Sequence, residues 1–164
     1  MELSQEEREK VKETTIRRVF QCAKDVLDDL GTGWSEAVYQ KAMEIALREE
    51  NIQYESQRVL PIYFKDKYVV GEGKPDLIIW VDLEDGKRVC VVFELKYETE
   101  IKQEHKTQLI KYIRALRKLQ QKDVIVFPSG FVINFQKLNN TKLGDETRGF
   151  PDDSSYLRYI KVEA

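Results

Sequence analysis

The fold class this sequence predicts is α/β or α+β, with one central mixed β-sheet flanked by helices. Three observations lead there. Apolar residues recur at helical spacing from about Ser4 to Glu50; the period then shortens to that of strands; and one further helical stretch, about Lys102 to Gln121, separates two groups of strands.

The first helical stretch runs to Leu30, with Val11, Ile16, Val19, Phe20, Ala23, Val26 and Leu27 on its apolar face, and Gly31 and Gly33 stop it. A second runs from about Ser35 to Glu50 on Val38, Tyr39, Ala42, Met43, Ala46 and Leu47, with Asn51 as terminator. Val59 to Phe64 and Lys67 to Val70 read as strands around a Lys65-Asp66 turn, and Asp76 to Val81 and Val89 to Lys96 as strands around a Glu84-Asp85-Gly86 turn. After the third helical stretch, Val124 to Phe127 and Phe131 to Phe135 read as strands flanking Pro128-Ser129-Gly130. Asn139 to Asp153 reads as an extended polar loop, and Tyr156 to Val162 as a last strand.

Length and composition bound the function. A chain of 164 residues fits one domain over 1–164, with an N-terminal helix (1–30), a core (31–138) and a loop with a terminal strand (139–164). Charged residues make up 34% and no apolar run approaches the ~20 residues that span a bilayer, so no membrane partner is expected. Met1 to Lys12 lacks the apolar region of a secretory signal, and an intracellular, soluble protein (cytoplasmic or nuclear) is the expectation. Two cysteines, Cys22 and Cys90, and one histidine are too few for a structural zinc site or an iron–sulfur cluster, and both cysteines read as buried apolar residues. The net charge of −2 argues against a non-specific, high-affinity nucleic-acid binder. The third helical stretch is nevertheless basic, with Lys102, Lys106, Lys111 and Arg114 followed by Arg117, Lys118 and Lys122. Alone, such a run is an ordinary solvated face.

Chemistry gathers at the strand ending in Glu94-Leu95-Lys96. Period two puts Glu94 and Lys96 on one face and Leu95 on the other. Taken singly, the pair fits an edge strand with a wet face. Asp76 changes that balance. A three-residue turn at Glu84-Asp85-Gly86 pairs Leu83 with Lys87, and counting back on that register sets Asp76 opposite Glu94. Two carboxylates that close raise a pKa or demand a cation, and hard oxygen ligands suit Mg²⁺ or Mn²⁺.

Pro75-Asp76 followed by Glu94-Leu95-Lys96 resembles the motif of the PD-(D/E)XK nucleases. Three further matches strengthen the resemblance. Gly33-Trp34-Ser35-Glu36-Ala37-Val38-Tyr39 reads as G-x-x-E-x-x-Y, the hallmark of the GxxExxY family within that superfamily; Gln108 to Tyr112 reads as Q-x-x-x-Y; and His105 precedes Gln108 by three. The matches appear in the expected order over about Leu30 to Leu138. The run Asp123 to Gly130 intervenes where typical members pass directly from the glutamine helix to the next strand.

The resemblance implies a restriction-endonuclease-like core and metal-dependent hydrolysis of phosphodiester bonds, with DNA as the expected substrate. Asp76, Glu94 and the Leu95 carbonyl would hold Mg²⁺ (or Mn²⁺), with Glu36 as a third acid. Lys96 would orient water or stabilise developing charge, and Gln108 and Tyr112 would position substrate or the lysine. Lys102, Lys106, Lys111 and Arg114 would touch phosphates. His105 and Tyr39 are lesser candidates: a histidine on a charged helix is usually solvated, and Tyr39 belongs partly to the core. Superfamily members often dimerise to cut two strands. The competing readings are an inactive nuclease fold that binds nucleic acid or protein, and an interaction protein docking through its acidic N-terminal helix. Metal dependence through Asp76 and Glu94 separates them from the enzyme.

Overall fold

The computed structural model describes residues 2–135, 147–151 and 157–164. The N-terminal helical run is continuous but not uniform: α1 (Gln5–Val11), a π-helical turn at Lys12–Ile16, then α2 (Arg17–Leu30). Ser4 caps it reciprocally. Its hydroxyl accepts from the Glu7 N–H at 3.1 Å while the Glu7 carboxylate accepts from the Ser4 N–H at 2.9 Å. Gly31, at φ 70°, ends α2. The next helix, α3 (Glu36–Glu49), is followed by Asn51 in the left-handed region at φ 56°, as a terminator requires.

The remaining elements are β1 (Gln53–Ser56), β2 (Leu60–Phe64), β3 (Tyr68–Gly73), β4 (Leu77–Asp82), β5 (Arg88–Lys96), α4 (Gln103–Lys118), β6 (Val124–Val126), β7 (Ser129–Asn134), β8 (Thr147–Phe150) and β9 (Leu157–Glu163). The main sheet is mixed, in the order β1-β4-β5-β7-β9-β8, with β6 also on β5. Strands β2 and β3 form a separate hairpin whose turn residues, Lys65 and Asp66, both adopt φ 54°. Leu77 lies opposite Phe93 and Val81 opposite Val89, the register expected from the three-residue turn.

Strand β5 is central, so the wet-edge alternative for its charged pair falls away: it pairs antiparallel with β4 on one side and parallel with β6 and β7 on the other. Two expectations change. Ser129 and Gly130 belong to β7 rather than to a turn. Strands β6 and β7 run successively along the same side of β5, Val126 opposite Cys90 and Phe131 opposite Phe93, interrupted at Phe127-Pro128. The run Asp123 to Gly130 therefore supplies the first half of one interrupted strand, and Pro128, lacking an N–H, marks the break. Finally, part of the expected loop Asn139 to Asp153 is a strand: β8 pairs antiparallel with β9 at the sheet edge. Residues 139–146 and 152–153 of that loop lie outside the described residues, as does Tyr156 at the start of the expected last strand.

The sheet separates two cores. Residues Leu77, Ile79, Val91, Phe93, Leu95 and Ile133 pack beneath α1, α2 and α3, where Phe20 meets Phe93, Phe131, Phe150 and Tyr159 ring to ring. Ile78, Trp80, Cys90, Val92, Val132 and Ile160 pack beneath α4, joined by Leu60 of the hairpin. Cys22 and Cys90 are buried in these layers, and burial pushes their thiols up to about 11 and about 12, so both are unreactive packing residues. No helix among the described residues is long and apolar enough to cross a membrane.

The hairpin meets α4 at a place where only glycine fits. A Cβ on Gly73 would lie 2.6 Å from the Tyr112 ring, whose rigid edge cannot fold away. Gly73→Ala is expected to cost about 1–3 kcal/mol by overpacking. Urea denaturation checks this: the midpoint falls with an unchanged slope, whereas an unchanged midpoint would mean that the hairpin base yields freely.

Candidate active site

Along β5 the even-numbered residues face α4. Cys90 and Val92 are apolar, and Glu94 and Lys96 then place charge on the same face as the strand leaves the sheet. Glu94 is 3% exposed, and a buried carboxylate demands partners. Its first partner is the Asp76 N–H, which donates to Oε1 at 2.8 Å.

Asp76 stands just before β4, where the antiparallel ladder to β5 ends. Its own carboxylate takes over the ladder's role, with Oδ2 accepting the Leu95 N–H at 2.8 Å. Two further side chains fix it: Gln57 Nε2 donates to Oδ1 at 3.0 Å, and Gln40 Nε2 donates to the Asp76 carbonyl at 3.0 Å.

Glu36, in the first turn of α3, accepts the Tyr97 N–H at 3.3 Å. Leu95 and Tyr97, two apart, present their N–H groups to the same strand edge, and in an extended chain the Leu95 carbonyl lies on that edge between them. Asp76 and Glu36 thus bracket the Leu95 carbonyl at the open edge of β5. Glu36, Asp76 and Leu95 line one wall of a concave surface of about 560 Å³, together with Gln40 and Gln57.

The electrostatics follow from burial. Desolvation, and next the Asp76 charge, push the Glu94 carboxyl up to about 8, while the Asp76 N–H bond and the Lys96 ammonium pull it the other way. This pair is short of positive charge. Among the described residues no three His, Cys, Asp or Glu side chains converge as a ready-made cation cage, so Glu36 is not drawn into a cluster with Asp76 and Glu94. The donor set fits a Mg²⁺-like ion nonetheless, since such ions are commonly held by one or two carboxylates with water completing the shell.

Helix α4 closes the other side. Burial, and then the charges of Glu94 and Asp76, raise the Tyr112 phenol, which places this ring beside the acidic pair; the Gln108 side chain and the Lys74 backbone address its hydroxyl. Lys111 and Arg114 line a groove with Gln108 and Tyr112, while Lys102 and Lys106 sit at the start of α4, away from the groove wall.

His105 is buried rather than solvated. Its Nδ1 accepts the Lys102 N–H at 3.1 Å and so caps the helix, and burial followed by the Lys96 charge lowers its pKa. Tyr39 is wholly interior. Its hydroxyl donates to the Gly31 carbonyl at 2.6 Å and its ring stacks on Phe135 at 4.6 Å, so it ties the loop before α3 to the core.

Sequence reasoning missed Gln40 and Gln57. Gln40 follows Glu36 by four and so shares its helix face, a readable signal. Gln57 carried none, since it follows a strand the sequence did not reveal.

A family profile describing the PD-(D/E)XK nuclease superfamily matches residues 13–145. No curated protein and no solved structure matches the chain.

The raised Glu94 carboxyl has a consequence for stability. The folded chain holds this proton more tightly than the unfolded chain does. Without cations, the Glu94 contribution is therefore fully present below the ordinary value of 4.5 and is lost as pH rises to about 8. Glu94→Gln is expected to flatten that decline and to melt higher than the parent at pH 8 in EDTA, by a few kcal/mol at most. Melting curves across this pH range decide it; parallel curves for the two proteins would refute the assignment.

Proposed function

Because the chain belongs to the PD-(D/E)XK nuclease superfamily, we propose that it is a divalent-metal-dependent nuclease that hydrolyses phosphodiester bonds in nucleic acid, with DNA as the first substrate to try. The Gly33 to Tyr39 stretch supports grouping it with the GxxExxY proteins. The observation that carries the reading is the buried Glu94 hydrogen-bonded to the Asp76 backbone, with Lys96 on the same strand face. A structural role alone would favour apolar residues at such a position.

Asp76, Glu94 and the Leu95 carbonyl would hold the cation, with Glu36 beside them. Mg²⁺ or Mn²⁺ there supplies Lewis-acid polarisation of the phosphate and a more acidic water. Lys96, half-buried on the same strand face, would offset the negative charge that develops on phosphate oxygens as water attacks. Gln57 and Gln40 hold Asp76 in place and act as positioning residues. Gln108 and Tyr112 order the α4 side of the site, and Lys111 and Arg114 offer phosphate contacts.

The test is a cleavage assay on single- and double-stranded DNA and RNA with Mg²⁺, Mn²⁺ or EDTA. Cleavage is expected with cation only, and Lys96→Ala and Asp76→Asn should lower it by about 100-fold or more. Tyr39→Phe should melt lower by about 1 kcal/mol yet cleave at close to the parental rate. A wild-type protein that binds Mg²⁺ and cuts none of these substrates, or a Lys96→Ala protein that cuts normally, overturns the proposal.

A further inference from the structure

The β2–β3 hairpin lies outside the main sheet and is unusually apolar for an exposed element. Of the large apolar side chains exposed among the described residues, seven of ten fall between Val59 and Val70, including Phe64 at 54% and Tyr68 at 56%. Apolar patches of this kind mark binding surfaces. The turn interleaves aromatic and cationic residues in the order Tyr63-Phe64-Lys65-Asp66-Lys67-Tyr68. The Lys65 ammonium lies over the Phe64 ring at 5.2 Å, and that of Lys67 over the Tyr68 ring at 5.7 Å.

Across from the hairpin, α4 forms the second wall of a groove of about 710 Å³, with Lys111, Arg114 and Lys118 facing Ile62 and Tyr63. The hairpin is held to α4 at both ends, by the Gly73–Tyr112 contact at its base and by a Lys118–Asp66 ion pair of 3.0 Å at its tip. Gln108 and Tyr112 also line this groove, and Tyr112 is the ring whose hydroxyl feels Glu94 and Asp76. Tyr112 therefore stands between the groove and the acidic pair, while Asp76 itself lines the separate concavity beside Glu36.

We propose that a single strand of nucleic acid crosses the exposed hairpin turn, where bases stack on Phe64 and Tyr68, enters the groove between the β2–β3 hairpin and α4 past Tyr63, with phosphates on Lys111 and Arg114, and is led past Tyr112 towards Asp76 and Glu94. This rests on the nuclease reading above and adds a substrate class to it. Exposed aromatic rings beside a line of cations are what a single strand needs, because its bases have free faces to stack. In a duplex those faces are already stacked on one another. A second copy of the chain fits less well, since lysine is depleted from protein–protein interfaces and this surface carries Lys111 and Lys118 on the α4 wall and Lys65 and Lys67 at the hairpin turn.

The test is fluorescence anisotropy of the full chain in EDTA, where metal-dependent cleavage is off. Labelled 20-mers of DNA and of RNA, single-stranded and as duplexes, are compared for the parent, Phe64→Ser/Tyr68→Ser and Lys111→Glu/Arg114→Glu. Phe64→Trp/Tyr68→Trp keeps the stacking surface. Melting curves establish that each variant folds.

The expected result is tighter binding of single strands than of duplexes. The serine pair should weaken single-strand binding by about 10-fold or more. The tryptophan pair should restore it, and the glutamate pair should flatten its salt dependence. Binding by the parent that favours duplexes, or is unchanged by the serine pair, overturns the proposal even if the parent cleaves DNA. Hairpin-dependent single-strand binding by a protein that cleaves nothing upholds the proposal and removes the nuclease reading alone. A parent that sediments as a dimer, with the serine pair monomeric and equally able to bind, would make the hairpin a copy-to-copy interface and overturn the proposal.

Discussion

Two carboxylates are held together at one end of the paired central strands β4 and β5, and much of the architecture around them serves that constraint. Asp76 donates its N–H to Glu94 and accepts the N–H of Leu95, so each acid is fastened through the other's strand. Neither is free to swing apart when charge repulsion rises. Water would separate and solvate such a pair; here the layers over β5 exclude it, and the result is a Glu94 carboxyl raised to about 8. A site in that condition gains from any cation that arrives.

The two faces of the sheet divide the work. Helices α1, α2 and α3 cover a face filled with aliphatic and aromatic residues, and the Phe20 cluster ties the first half of the chain to strands β5, β7 and β9. The other face carries apolar residues along most of β5 and charge only at the end, where α4 and the hairpin meet. Glu94 lies near the carboxyl end of β5, beside its parallel neighbour β7, and Asp76 next to it opens onto the concavity walled by Glu36, Gln40 and Gln57. Helix α3 belongs to the first face yet reaches the site by its first two turns, through Glu36 and Gln40.

Much of this was legible in the sequence because it depends on period and count. The α4 helix and the β4–β5 register followed from apolar spacing and turn length, and the register alone brought Asp76 to Glu94. The N-terminal run was also readable, although its π-helical turn left no mark in the pattern. What escaped has physical reasons. Strand β1, Gln53–Ser56, is polar and half-exposed, and it forms because β4 offers it an edge. Strand β8 likewise depends on β9. The continuity of β6 and β7 was hidden by a proline that ordinarily means a turn. His105 looked solvated because its neighbours in sequence are charged, whereas it is buried and turned back to cap α4 by accepting the Lys102 N–H.

The most direct test of the central claim, that Asp76 and Glu94 form a cation site poised by their own repulsion, is calorimetric titration of Mn²⁺ into the full chain near neutral pH. Buffers of different ionisation enthalpy make it read protons as well as heat. The account predicts saturable binding that releases close to one proton per ion, because Glu94 must give up its proton to ligate, and predicts that Asp76→Asn abolishes both. Binding without proton release and indifferent to Asp76→Asn, or no binding at all, would contradict it.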